Sequence, residues 1–108
     1  MNIDEKDIHG YLKNAGYWLA QDIYKDTNNR ISNIDDLIKK YSGRIFNYIH
    51  NNSKLEFILY LQKLYASVSI QPNKYLMEIL KEEDNQKFQE YSLAFMMGFL
   101  SNKKRENE

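Results

Sequence analysis

The chain of 108 residues contains no cysteine, a single proline and only four glycines. Without cysteine it has neither a disulfide framework nor a thiolate metal site, which is compatible with a reducing compartment. Scarce proline and glycine favour long helices over many short strands. No apolar run approaches the about 18 residues that a membrane-spanning helix requires, and the acidic opening, residues 1–7, does not resemble a secretory signal. We therefore expect a soluble, cytoplasmic protein with no membrane contact.

Side chains suited to catalysis are also few. The two histidines, His9 and His50, belong to neither a His-Glu-x-x-His nor a Glu-x-x-His motif. Ser42 and Ser53 flank His50, but no third group is placed to orient a nucleophile–base pair. No glycine-rich phosphate loop occurs. We expect no enzymatic activity, no metal, no cofactor and no small-molecule substrate.

Apolar residues recur at steps of three and four, the period of an amphipathic helix. The first predicted helix covers roughly residues 4–26. Gly10 and Gly16 fall inside it, and each costs up to about 1 kcal/mol relative to alanine. These glycines either mark a close approach between helices or leave this helix the least stable. A second helix follows Ser32 or Asn33, since both side chains can accept hydrogen bonds from the first turn.

Three further helices complete the predicted architecture. Ser53 and Glu56 have the spacing of a capping box, which opens a third helix ending at about Val68. A short fourth helix follows the chain's one proline, and the fifth is capped by Asp84 or Asn85.

Short connectors between these helices predict an all-α fold, a five-helix bundle. We expect one domain over residues 1–108, in which residues 102–108 form a charged, frayed tail.

The fifth helix is apolar nearly all round its circumference. Such a helix is either central in its bundle or covered by another subunit, and both alternatives stay open. Trp18, on the first helix, falls off the main apolar stripe and is a further candidate for contact with a partner. The predicted subunit-interface residues are Trp18, Phe95, Met96 and Phe99.

A formal net charge of zero conceals an uneven distribution of charge. Residues 37–77 hold six bases and one acid, whereas acids exceed bases on both sides of this segment. A neutral protein with a basic middle can attract a polyanion through one surface. The alternative is that these lysines form an ordinary solvated helix face.

Part of this charge is predicted to lie on one side of the second helix. Lys40, Arg44, Asn47 and Asn51 fall within an arc of roughly 60° opposite the apolar stripe. Phe46, His50 and Tyr60 lie off the stripes and are candidate stacking platforms for unpaired bases. The predicted nucleic-acid-binding residues are Lys39, Lys40, Arg44, Asn47, Asn51, Lys54, Lys63 and Lys74. Because no arginine-rich reading helix is present, we expect contacts to the backbone that do not depend on sequence.

Three segments carry a resemblance to a known family: residues 54–65, residues 72–80 and residues 91–100. Together, residues 53–103 resemble the C-terminal helical domain of the large subunit of type I-B CRISPR Cascade effectors. That domain also exists as a free-standing small subunit. Residues 14–20 resemble the beginning of the same region. The likeness lies in the hydrophobic pattern and in placed glycines, prolines and aromatics, and no binding motif carries over residue by residue.

The resemblance implies a non-catalytic helical bundle assembled into a ribonucleoprotein. Its implied partners are the Cascade large subunit, the backbone subunits and further copies of itself. Its implied nucleic-acid contacts are the guide RNA–target DNA hybrid or the displaced single-stranded DNA. A second hypothesis, without nucleic acid, is a helical adaptor or regulator that forms homodimers through the last helix.

Overall fold

Five α-helices make up the chain wherever the structure, a computed structural model, describes it, namely residues 5–26 and 33–102. The predicted all-α five-helix bundle is confirmed, and no strand occurs within these two ranges. None of the helices described is long and apolar enough to cross a bilayer. In chain order they are α1 (Glu5–Asp26), α2 (Ile34–His50), α3 (Lys54–Ser67), α4 (Lys74–Leu80) and α5 (Asn85–Leu100).

Two of the predicted N-caps form as expected. The Asn33 side chain accepts a hydrogen bond from the Asp36 amide at 3.0 Å, while the alternative cap, Ser32, lies outside the described residues. Asp84 caps α5 by accepting from the Gln86 and Lys87 amides at 2.9 and 3.2 Å. Each cap satisfies amides that have no partner within the helix.

The predicted capping box at the start of α3 is wrong. Ser53 precedes the helix, but its side chain makes no capping hydrogen bond. Its backbone (φ −84°, ψ 70°) departs from the extended conformation that an N-cap normally takes. The reason is the tight turn from α2, in which the Ser53 amide donates to the Tyr48 carbonyl at 2.8 Å and Asn52 adopts the left-handed conformation at φ 55°.

Helix α5 is the centre of the bundle and packs against α1, α2 and α4. Phe57 of α3 meets Phe88 and Phe95 of α5 edge to face, with ring centroids 5.7 and 6.4 Å apart. This geometry is the preferred one for aromatic pairs. The central position of α5 explains its buried apolar residues, whereas Leu93 and Met97 of the same helix are 39% and 57% exposed.

Two glycines set the distance between α1 and α5. A Cβ atom built on Gly16 would fall on the backbone carbonyl of Phe95, and one built on Gly98 would fall on that of Lys13. Gly10, in contrast, faces open space. Of the alternatives left open for the first helix, close approach is correct for Gly16, while Gly10 serves no such contact.

Asn102 closes the end of α5 onto α1. Its side chain is 8% exposed, donates to the Tyr17 carbonyl at 3.1 Å, and accepts from the Gln21 amide nitrogen. The prediction of a frayed tail is thus wrong at Asn102, because the side chain of this residue forms hydrogen bonds with α1. Residues 103–108 lie outside the described part of the chain.

Candidate nucleic-acid interface

A groove of about 380 Å³ runs between α2 and α3. We call it the basic groove, because three of the predicted cations, Lys40, Arg44 and Lys63, lie along it. The side chains lining the basic groove are Lys40, Tyr41, Arg44, Tyr60, Lys63, Leu64 and Ser67.

The turn at Asn52 determines which residues meet across the basic groove. Helix α3 folds back along α2, so residues equally distant from Asn52 in the sequence face each other. Arg44 and Tyr60 are each eight residues from Asn52, and Lys40 and Leu64 are each twelve. Both pairs line the groove. The basic side of α2 is thereby placed against the polar side of α3.

Aromatic rings hold the cations in position. The Arg44 guanidinium carbon lies 5.6 Å from the centroid of the Tyr60 ring, and the Lys40 ammonium lies 5.5 Å from that of Tyr41. Tyr48 in turn supports Tyr60 edge to face at 5.9 Å. Cations within about 6 Å of a ring centroid are attracted to its negative face. Arg44 is exposed, so its guanidinium N–H groups can donate hydrogen bonds to an anion.

The electrostatics of the basic groove are uncompensated. Among the residues that the structure describes, no carboxylate forms an ion pair with Lys40, Arg44 or Lys63. Burial raises the pKa of Tyr60, while the nearby Arg44 lowers it in part. The Tyr60 hydroxyl therefore keeps its proton at neutral pH and can donate a hydrogen bond to a phosphate oxygen.

Asn47 and Asn51 extend the same side of α2 towards the turn. Both are exposed, and the side-chain nitrogen of Asn51 donates to the side-chain oxygen of Asn47 at 3.0 Å. Lys39 is exposed but does not line the groove, since it lies about 100° round the helix from Lys40.

The remaining two predicted cations also lie outside the basic groove. The Lys54 ammonium donates to the Glu83 carbonyl at 2.7 Å and lies 6.0 Å from the Phe88 ring, so it joins the start of α3 to the residues before α5. Lys74 begins α4 and is exposed. The structure therefore gathers three of the predicted cations in the basic groove and places Lys54 and Lys74 outside it.

Of the predicted stacking platforms, only Tyr60 lies in the basic groove. Phe46 and His50 are exposed but do not line the groove, since they lie about 160° and about 120° round α2 from Arg44. Tyr41 is a groove residue that the sequence pattern assigned to the apolar stripe. Its phenol oxygen could have indicated this position, because a tyrosine at the edge of an apolar stripe keeps its polar end near water.

The predicted subunit interface is wrong for three of its four residues. Phe95, Met96 and Phe99 are buried inside this chain because α5 is central, so they offer no surface to a second subunit. Trp18 alone is exposed, at 56%.

Residues 5–26 and 33–102 contain no group of three or more histidine, aspartate or glutamate side chains that could hold a metal ion. Comparison of the chain with protein-family models, with curated proteins and with solved structures finds no match.

Proposed function

We propose that this protein is a non-enzymatic small subunit of a type I CRISPR interference complex of the Cascade class. In this proposal it binds the phosphate backbone of target or displaced-strand DNA, independently of sequence, through the basic groove. The observation that carries the proposal is the convergence of Lys40, Arg44 and Lys63 on one groove, where no carboxylate of the described residues forms an ion pair with them.

The chemistry of the basic groove suits a nucleic-acid backbone. Arginine and lysine bind phosphate by charge, and the planar guanidinium can do so with two hydrogen bonds. The tyrosine rings add faces on which an unpaired base can stack. No side chains are arranged here to read base edges in a groove of duplex DNA, so contacts independent of sequence are the expectation.

The neutral net charge suggests how this surface is used. Acidic segments on either side of residues 37–77 oppose the approach of a polyanion to the rest of the molecule. Binding by the isolated chain is therefore expected to be weak. Inside an assembly, contacts from several subunits act together and raise the overall affinity without any new contact in this chain.

Charge reversal in the basic groove tests the proposal. In the triple variant Lys40→Glu, Arg44→Glu, Lys63→Glu, we expect the affinity for single-stranded DNA to fall at least about tenfold, a loss of about 1.4 kcal/mol or more. The slope of log affinity against log salt should fall in magnitude by about 2, since each single-strand phosphate contact contributes about 0.7. The measurement is fluorescence anisotropy, on the chain alone and within the reconstituted complex.

The matched control reverses three exposed lysines outside the groove, Lys25, Lys81 and Lys87. Both triple variants change the formal net charge from zero to −6, so a general charge effect would weaken both equally. If the two variants bind DNA alike, the basic groove is not the binding surface. Affinity purification of the wild-type chain, followed by identification of the proteins and RNA that accompany it, tests membership of a guide-bearing complex.

The competing hypothesis of a homodimer formed through the last helix is not supported at Phe95 and Phe99, whereas Leu93 and Met97 of that helix are 39% and 57% exposed. Its interface needs Phe95 and Phe99 at the surface, and both are fully buried.

A further inference from the structure

A second groove, of about 310 Å³, lies on a different part of the molecule, where α1 meets the end of α3 and the start of α4. We call it the apolar groove. Trp18 and Ile70, 56% and 39% exposed, contribute large hydrophobic surfaces to it. The side chains lining the apolar groove are Tyr11, Asn14, Ala15, Trp18, Leu19, Asp22, Tyr65, Ile70, Asn73 and Leu76.

Two polar side chains of the apolar groove, those of Tyr65 and Asp22, have no hydrogen-bond partner among the described residues. Tyr65 is 7% exposed, lines the groove, and its hydroxyl has no hydrogen bond to any residue that the structure describes. The Tyr65 hydroxyl is therefore able to form a hydrogen bond with a group that enters the groove. Its presence in a groove that also exposes tryptophan indicates a surface that is incomplete in the isolated chain.

Asp22 gives the apolar groove its charge. It is the one residue of the lining that carries a formal charge at neutral pH, and it is half-buried. Within residues 5–26 and 33–102, it forms no ion pair and no hydrogen bond. The proximity of Asp22 and Tyr11 adds to the effect of burial in raising the pKa of Tyr65. Asp22 and Tyr65 both line the apolar groove.

We propose that the apolar groove docks a segment of a partner protein that presents an apolar side chain next to a lysine or arginine. The apolar side chain packs between Trp18 and Ile70, and the cation donates hydrogen bonds to the Asp22 carboxylate and the Tyr65 hydroxyl oxygen. Asp22 selects a cation because a carboxylate that loses water in an apolar groove is stabilised by an opposite charge. Trp18 adds a face to which the same cation is attracted. The inference does not depend on DNA binding by the basic groove.

Trp18 supplies a built-in reporter, because it is the only tryptophan of the chain. The probe is a synthetic helical peptide, acetylated and amidated, that contains no tryptophan and presents leucine and arginine one turn apart. The reference peptide carries glutamate in place of arginine. We expect the arginine peptide to shift Trp18 emission, to protect Trp18 from acrylamide quenching, and to bind at least about tenfold more tightly than the glutamate peptide.

Two variants identify the groups responsible. With Asp22→Asn, the preference for the arginine peptide should fall to about twofold or less, whereas the control Glu78→Gln, at an exposed acid outside the groove, should retain it. Tyr65→Phe should weaken the arginine peptide several-fold and leave the glutamate peptide unchanged. Circular dichroism melting checks that each variant is folded, and the comparison of the two peptides on the wild-type chain is decisive without any variant.

Three outcomes would overturn the proposal. Equal binding of both peptides to the wild-type chain would remove the role of Asp22. Absence of any effect on Trp18 up to the solubility limit of the arginine peptide would remove the docking function. Protection of Trp18 that increases with protein concentration, together with a dimer mass in sedimentation, would show that the occupant is a second copy of this chain.

Discussion

At the scale of single residues, Asn102 shows how one polar side chain fixes the end of a helix. Its carboxamide bonds the Tyr17 carbonyl and the Gln21 side chain, both on α1, and also the Phe99 carbonyl at 3.3 Å within α5. These bonds are buried or partly buried, which limits competition from water. Asn102 thus ties the two helices together at a point that hydrophobic packing does not reach.

Replacement of Asn102 by alanine should lower the free energy of unfolding by about 1–3 kcal/mol. The Tyr17 carbonyl and the Gln21 amide would lose their partner in a partly buried position. The measurement is urea denaturation followed by circular dichroism. Asn47→Ala is the matched control, since Asn47 bonds only to exposed Asn51 and its loss should change stability by no more than about 0.5 kcal/mol. Similar losses in the two variants would show that the contacts of Asn102 do not stabilise the fold.

At the scale of elements, the packing of α1 on α5 rests on backbone contact at two glycines. Carbonyl groups of the facing helix occupy the space that a Cβ atom would need at Gly16 and Gly98. A backbone cannot rotate away as a flexible side chain can, so a larger residue must separate the helices.

Gly16→Ala and Gly98→Ala should each destabilise the protein by about 2 kcal/mol or more, because the helices must separate along a buried seam. Gly10→Ala and Gly43→Ala are the matched controls. Both positions are helical and face open space, so alanine should stabilise by up to about 1 kcal/mol through its greater helix propensity. Thermal and urea unfolding of the four variants measure the contrast. Equal effects at all four positions would contradict the close approach of α1 and α5.

Sequence periodicity predicts the helices and some of their caps, but not the features that depend on tertiary contacts. The five helices follow from apolar spacing, and Asn33 and Asp84 were found as caps because their side chains act on adjacent amides. The cap at Ser53 failed because the turn from α2, a tertiary feature, changed its backbone. The position of α5 stayed open for a related reason, since a helix that is apolar all round does not specify what covers it.

The basic groove was partly predictable in the same way. Lys40 and Arg44 share one side of α2, which helical geometry gives directly. Lys63 and Tyr60 of α3 join this groove because the turn at Asn52 sets the register of α3 against α2, which the sequence pattern does not show. The position of Lys54 outside the groove could not be predicted, because a helical wheel of one helix does not show that the Glu83 carbonyl lies within reach of this lysine.

At the scale of the whole molecule, the fold separates surfaces of different character. The basic groove lies between α2 and α3, whereas the apolar groove lies among α1, the end of α3 and the start of α4. The two proposed binding surfaces therefore do not overlap. A neutral overall charge is compatible with this division, because the positive field is confined to one segment.

Buried tyrosines in both grooves predict that stability falls in alkali. Burial raises the pKa of Tyr11, Tyr60 and Tyr65 above the ordinary value of 10.0. Above that pH the unfolded chain releases phenol protons that the folded chain retains, so the folded state binds more protons. By linkage, these three tyrosines make a constant contribution to the free energy of unfolding below about pH 10. Their contribution decreases as the pH rises further.

The Tyr65→Phe variant separates the loss of stability caused by phenol ionisation from the contribution of ring packing. The ring is kept and the hydroxyl has no partner among the described residues, so we expect stability at pH 7 to change by no more than about 0.5 kcal/mol. Above pH 10 the variant should lose stability less steeply than the wild type, because its ring has no proton to lose. Tyr60→Phe should flatten the decline less, since Arg44 already offsets part of the shift at Tyr60. Urea denaturation across pH 7 to 11 makes the comparison, and a Tyr65→Phe curve parallel to that of the wild type would contradict the burial of this hydroxyl.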